Sequence, residues 1–166
     1  MQSTSIILST YNKPDFIKKV LTAYNCQEYK DFDIIIADDG SDKETKNIIE
    51  HFKDTTNLDI NHIWHEDDGF QKSVILNKAI QASKSDYLIF SDGDCIPNQS
   101  FVQTHINLAA QGYFLSGGHF PLSSSVSKLI TENNITSQQC FNKTFLLSSG
   151  QMLSKNYLKL LRTDLL

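Results

Sequence analysis

The sequence predicts a single α/β domain built on a mostly parallel sheet with helices on both faces. Two observations carry this expectation. Short apolar runs of strand length alternate with longer stretches whose apolar residues recur at helical spacing. Polar or acidic clusters follow three of those runs, where open parallel sheets bind ligands, at the carboxyl ends of their strands.

The first run, Ser5-Ile6-Ile7-Leu8, reads as a buried strand. Asn12-Lys13-Pro14-Asp15 then starts a helix, because proline in the first turn loses no hydrogen bond and Asp15 suits the positive helix end. Phe16, Val20, Leu21 and Tyr24 form its apolar face. Residues 34–37 give a second strand, closed by Asp38-Asp39-Gly40-Ser41, with Ser41 or Asp42 capping a helix over 44–53 that turns Ile48, Ile49 and Phe52 inward. Residues 60–64 are a weaker third strand. After Asp67-Asp68-Gly69 a helix over 71–83 buries Ile75, Leu76, Ala79 and Ile80. Residues 87–90 are the fourth strand, ending at Ser91-Asp92-Gly93-Asp94. Pro97 and Asn98 open another helix, with Phe101, His105 and Leu108 on one side. Beyond Gly112 the pattern weakens: a strand is expected over 113–116, a helix over 123–130, one or two short strands over 145–153 around Gly150, and helical character over 155–161.

Composition narrows the function classes. A chain of 166 residues with 40% apolar content suits one folded domain. The formal net charge of −4 argues against a nucleic-acid partner, while a bound metal could still supply local positive charge for a nucleotide ligand. The N-terminus lacks a basic region before its first apolar run, and no apolar run approaches the ~20 residues needed to span a bilayer. The expectation is a cytoplasmic protein, with peripheral contact at the inner membrane face and homo-oligomerisation both compatible with the sequence. Cys26, Cys95 and Cys140 form neither a disulfide framework nor a zinc pattern. His62 and His65, three apart on a strand, fall on opposite faces and make a poor metal pair.

Three clusters carry chemistry. Asp92-Gly93-Asp94 puts two carboxylates on a tight turn, able to point at one Mg²⁺ or Mn²⁺ that carries phosphate oxygens; the plainer reading is an ordinary Asp-Gly turn. Asp38-Asp39-Gly40-Ser41 offers a carboxylate to a base N–H, or simply a turn and helix cap. Lys72, near a helix start, can hold a phosphate or be merely solvated.

These segments together resemble family 2 glycosyltransferases. Residues 5–13 are similar to their opening strand and loop, 34–41 to their second strand and acidic turn, and 87–94 to their metal-binding Asp-x-Asp, in the same order over residues 3 to about 110. The stretch from Gly69-Phe70 to Asn77-Lys78-Ala79 is similar to the corresponding loop and helix of chondroitin-polymerase-like members. The resemblance implies the GT-A fold, with a nucleotide-binding half over 1–111 and a partial acceptor-side half over 112–166. It implies nucleotide-binding roles for Thr10, Tyr11, Asn12, Asp39, Lys72, Asn77, Asp92 and Gly93, with Tyr11 against the base and Asp39 on the uracil N3–H. It implies Asp94 and Asp92 as ligands of Mn²⁺ or Mg²⁺. The implied activity is inverting transfer from a UDP-sugar donor to a glycan acceptor hydroxyl in polysaccharide synthesis.

Gly117-Gly118 and Ser149-Gly150-Gln151-Met152 resemble later, acceptor-side segments of the same subgroup. The family's acidic catalytic base, often in a Glu-Asp pair, has no counterpart after Gly150, where the remaining acid is Asp164. The expectation is therefore a C-terminally truncated chain with its base beyond Leu166. The competing functions are a sugar-nucleotide nucleotidyltransferase, which would want a glycine-rich basic loop after the first strand, and an inactive UDP-binding fragment.

Overall fold

Four parallel strands form one sheet in the order β3 (Asp59–Trp64), β2 (Asp33–Asp38), β1 (Thr4–Thr10), β4 (Tyr87–Asp92). The structure is a computed structural model that describes residues 3–151. From β1 the chain steps to β2 and β3 on one side, then crosses to β4 on the other. The strand order thus reverses beside β1, and a crevice opens at such a reversal, outside the carboxyl ends of the strands.

Strand alternation explains the two-sided core. Ile6, Leu8, Ile34, Ile36, Ile60 and Ile89 point to one face. There they meet Ile17, Val20, Leu21 and Tyr24 of α1 (Pro14–Asn25), Ile49 and Phe52 of α2 (Lys43–Thr55) and Val102 of α4 (Phe101–Leu108). Ile7, Ile35 and Ala37 point to the other face, against Ile75 and Ala79 of α3 (Lys72–Ala82). Both faces of β1 are covered, which is why its run is apolar without alternation. The helix starts follow local chemistry: Pro14 opens α1 with Asp15 in its first turn, and the Asp42 carboxylate accepts the Glu44 and Thr45 N–H groups to cap α2.

After α4 the chain makes α5 (Ser124–Leu129), α6 (Glu132–Thr136), a 3-10 turn over Gln139–Phe141 and α7 (Lys143–Ser148). Ile130, Ile135 and Cys140 pack on Ala23 of α1, so this region leans on the same helix that lines the main core. Burial pushes the Cys140 thiol up to about 12. All three cysteines are free thiols, as expected. No helix among the described residues is long and apolar enough to cross a membrane.

Several expectations need correction. In α1 Ile17 rather than Phe16 joins Val20, Leu21 and Tyr24 in the core; Phe16 sits half-buried under the Lys13 and Lys19 ammonium groups. In α3 Ile80 turns to solvent, because one strand face gives room for a single narrow apolar stripe on Ile75 and Ala79. Helix α4 starts at Phe101 rather than at Pro97, and it buries Val102 while Leu108 is exposed. Residues 113–119 form no strand, and Tyr113 and Phe114 are exposed. The short apolar run at 145–147 lies on helix α7, which ends ahead of Gly150 at φ +84°, rather than on a strand. A run of that length fits either element, and Asn142 capping the Thr144 N–H decides for helix. The helical character expected at 155–161 lies outside the described residues.

One turn has no steric slack. Gly40, directly after β2, has φ +94°, and a Cβ built there would lie 2.6 Å from the Asp67 Cα. Gly69 also has a positive φ, +78°, but open space around it. Both Gly→Ala changes incur backbone strain of about 1–3 kcal/mol. Gly40→Ala must in addition displace the Asp67 backbone, so urea unfolding is expected to show the larger loss for Gly40→Ala. Equal losses would mean that the 65–71 loop yields freely.

Candidate functional site

The carboxyl ends of β1, β2 and β4 meet in an open cleft lined by Ser9, Thr10, Tyr11, Lys13, Ala37, Asp39, Phe70, Lys72, Ile75, Asp92, Gly93 and Asp94. The parallel register produces this meeting: Thr10 stands beside Asp38 on one side, and Ser9 beside Asp92 on the other. Of the residues expected at a nucleotide or metal site, Thr10, Tyr11, Asp39, Lys72, Asp92, Gly93 and Asp94 all line the cleft.

Two do not. Asn12, at φ +47°, accepts the Asp42 N–H on its Oδ1 at 2.9 Å, and its own N–H donates to Ser41 Oγ. It ties the β1 loop to the start of α2 and lies outside the lining. Asn77 is exposed on α3 and also lies outside the lining. Two residues separate it from Ile75, about 200° around a helix, so burying Ile75 turns Asn77 away from the sheet.

The two adjacent acids at the end of β2 divide the work. Asp38 is fully buried and satisfied: Oδ1 accepts the Ser41 N–H at 2.9 Å, and Oδ2 lies 2.8 Å from His62 Nε2. It builds the turn and does not line the cleft. Asp39 faces the cleft. Its Oδ1 lies 2.8 Å from His65 Nε2, and its Oδ2 accepts the Gln71 N–H at 3.0 Å. Gln71 is the residue that begins α3 and has no side-chain cap of its own. A carboxylate from β2 therefore anchors a helix from elsewhere in the chain, with its negative charge near the helix N-terminus. A carboxylate has about four lone-pair positions, so two bonds leave Asp39 able to accept another donor.

Tyr11 and Phe70 contribute exposed aromatic rings to the same lining. The Tyr11 hydroxyl donates to Asp67 Oδ2 at 2.8 Å, and that hydrogen bond, with the Asp67 charge, holds the phenol above its ordinary pKa. Thr10 Oγ1 is buried and has no hydrogen-bond partner among the described residues, which leaves its hydroxyl available within the cleft lining.

At the other end of the cleft, Gly93 folds the chain tightly back on β1, its N–H donating to Ser9 O at 2.7 Å. A Cβ at Gly93 would lie 2.9 Å from that same oxygen and 3.2 Å from Thr10 Oγ1, so no side chain fits. The close turn sets Asp92 and Asp94 side by side, and their carboxylates and Cys95 Sγ lie within 4.8 Å of one another. Both acids have cationic partners: Lys72 Nζ is 2.6 Å from Asp92 Oδ1, and Lys13 Nζ is 3.1 Å from Asp94 Oδ2. The Lys72 hydrogen bond, then that from Ser9, holds the Asp92 carboxyl below its usual range. Burial, then the Asp94 charge, pushes the Cys95 thiol up. Two hard oxygen ligands on an open surface fit Mg²⁺ or Mn²⁺ bound together with phosphate oxygens.

Lys13, Asp67, His62 and His65 are the partners that the sequence did not disclose. Each acts through a contact between distant segments, and only the β2–β3 register and the fold of the 65–71 loop bring the histidines to their aspartates.

Comparison with known proteins agrees with this geometry. The chondroitin synthase of Escherichia coli is 31% identical over 107 residues, which are 64% of this chain and 15% of that protein. Two solved structures share the fold. S. aureus TarS in complex with UDP-GlcNAc superposes with a TM-score of 0.54 at 23% identity, over 63% of this chain and 30% of that one. The mannosyltransferase PcManGT from Pyrobaculum calidifontis, in complex with GDP-Man and Mn²⁺, gives 0.60 at 19%, over 67% and 33%. The chain thus spans about a third or less of the length of these relatives. The family model described as "Glycosyl transferase family 2" matches residues 5–160. With that match covering nearly the whole sequence, on a GT-A fold, the chain belongs to glycosyl transferase family 2.

Proposed function

We propose that this chain forms the donor-binding part of an inverting glycosyltransferase that takes a sugar from a UDP-sugar and passes it to the hydroxyl of a growing glycan. The observation that supports this best is the division of groups across the strand order: Asp39, with an acceptor position left over, follows β2 on one side of β1, and two carboxylates with two lysine partners stand at the end of β4 on the other, with Tyr11 and Phe70 in the same lining. That division suits a nucleoside diphosphate, with the base on the β2 side and the phosphates on the β4 side. A glycan acceptor is consistent with the name of the chondroitin synthase relative.

Each residue then has a defined task. Asp39 accepts the N3–H of uracil, while Tyr11 and Phe70 offer ring faces to the base. The Thr10 hydroxyl takes a hydrogen bond that the protein leaves unmade. Asp92 and Asp94 would hold Mn²⁺ or Mg²⁺, which when bound supplies positive charge to the diphosphate leaving group. Lys13 and Lys72 balance the two acids in this structure, and their ammonium groups are within reach of phosphate oxygens once a divalent cation takes the carboxylates. Asp39, Asp92 and Asp94 all serve the donor, so the acceptor hydroxyl takes its general base from outside this set.

Two predictions follow from the metal end. Calorimetry with UDP is expected to show tighter binding when Mn²⁺ is present. Asp94→Ala should remove that gain, weakening binding in Mn²⁺ by about 100-fold, since even indirect partners of metal ligands contribute 10–100-fold. Mn²⁺-dependent UDP binding that survives Asp94→Ala would remove the metal role.

Lys72 lowers the Asp92 pKa, so Asp92 keeps its charge further into acid than an ordinary carboxylate. Lys72→Met should raise that pKa, so Mn²⁺-dependent UDP binding should fall off at a higher pH than in the wild type. At neutral pH the variant should also bind UDP about tenfold more weakly, the scale of one hydrogen bond to a charged group. Calorimetry across a pH series reads both effects, and an unchanged acid limb would show that Asp92 does not depend on Lys72.

A further inference from the structure

We infer that His65 is a positioning residue that sets the nucleobase preference of the cleft by holding the Asp39 carboxylate as a hydrogen-bond acceptor aimed at the base. This rests on the uridine-nucleotide reading above and adds the group that makes it selective.

The geometry begins with the imidazole. His65 follows β3 directly, its side chain is 12% exposed, and its Nε2 lies 2.8 Å from Asp39 Oδ1. Its other nitrogen, Nδ1, lies 3.3 Å from Lys78 Nζ on α3. An ammonium has only donors to give. Nδ1 is therefore the acceptor of that pair, which assigns the ring proton to Nε2. His65 in turn donates to Asp39 Oδ1, while the Gln71 N–H holds Oδ2. Donors from the end of β3 and the start of α3 thus fix both oxygens and the plane of the carboxylate.

Selectivity follows from what remains. The free lone pairs of Asp39 can only accept, so they suit the N3–H of uracil and oppose the bare N3 of cytosine. Without the His65 donor, Oδ1 is unpaired and the carboxylate can rotate away from the base. The second histidine–acid pair is an internal control. His62 holds Asp38 at the same 2.8 Å, but Asp38 does not line the cleft.

The test uses the 166-residue chain in calorimetric titrations with UDP and with CDP, on the wild type, His65→Leu, His65→Gln and His62→Gln. Wild type should prefer UDP. His65→Leu should reduce the UDP-to-CDP affinity ratio by about tenfold, the scale of one hydrogen bond to a charged group. Glutamine carries an amide N–H near the Nε2 position, so His65→Gln should keep the ratio, and His62→Gln should leave it unchanged whatever it does to stability. An unchanged ratio in His65→Leu, or an equal fall in His62→Gln, overturns the proposal. Equal UDP and CDP affinity in the wild type overturns the uridine reading beneath it, which is a distinct result. Should His65→Leu fail to fold, ¹⁵N-resolved spectra of the wild-type histidines decide. The proposal requires the Nε2–H form of His65 and a shift of that resonance with UDP but not with CDP. The Nδ1–H form overturns it.

Discussion

The parallel register of β1 between β2 and β4 is the constraint from which the cleft derives. It sets Thr10 beside Asp38 and Ser9 beside Asp92, so three loops end at one level. A shift of one residue would exchange the two faces of a strand. Ile6 and Leu8 would then meet α3, and Ile7 would meet α1 and α2, with every packed side chain misplaced. The apolar core therefore holds the polar site in place. The interactions that stabilise the sheet and those that gather the acids are separate, but one alignment satisfies both.

The acids at the strand ends form two classes. Asp38 and Asp39 are buried, and each is held by an imidazole and a backbone N–H. Taking one partner away from a buried charge is strongly destabilising, so these contacts fix geometry. Asp92 and Asp94 are exposed and meet lysines whose side chains are exposed as well. Such pairs contribute little to stability and exchange readily. The first class suits a base that must be read in one orientation, and the second suits ions that arrive and leave. The difference follows from burial, since all four residues are the same amino acid.

Much of this was legible in the sequence, and the reasons are physical. The runs at 5–8, 34–37 and 87–90 are buried strands whose ends carry chemistry, and Asp92-Gly93-Asp94 announces its turn through its glycine. What stayed hidden was everything that needs a distant partner. Nothing in the spacing of His62 and His65 shows that each meets an aspartate on β2, because that depends on strand register and on the 65–71 loop. Strand ends alone also do not show that Asn12, whose Oδ1 accepts the Asp42 N–H, and Asn77, exposed on α3, lie outside the lining that holds Thr10 and Lys72. Residues 124–148 were least legible, because their α-helices are five or six residues long, too short for a period to declare itself.

The Asp39 carboxylate joins the β2 side of the cleft to the start of α3, and Lys72 is the next residue after its Gln71 partner. Diversification of the site is constrained by that link. On the proposed reading, a lineage that moved from one nucleobase to another by replacing residue 39 alone would also release the start of the helix that carries Lys72. Substitutions at 39, 65 and 71 share one hydrogen-bonded unit, and residues in such a unit do not act additively. New base preferences in this scaffold would then arise through permissive changes at 65 or 71 first, and the order of mutations would matter as much as their identity.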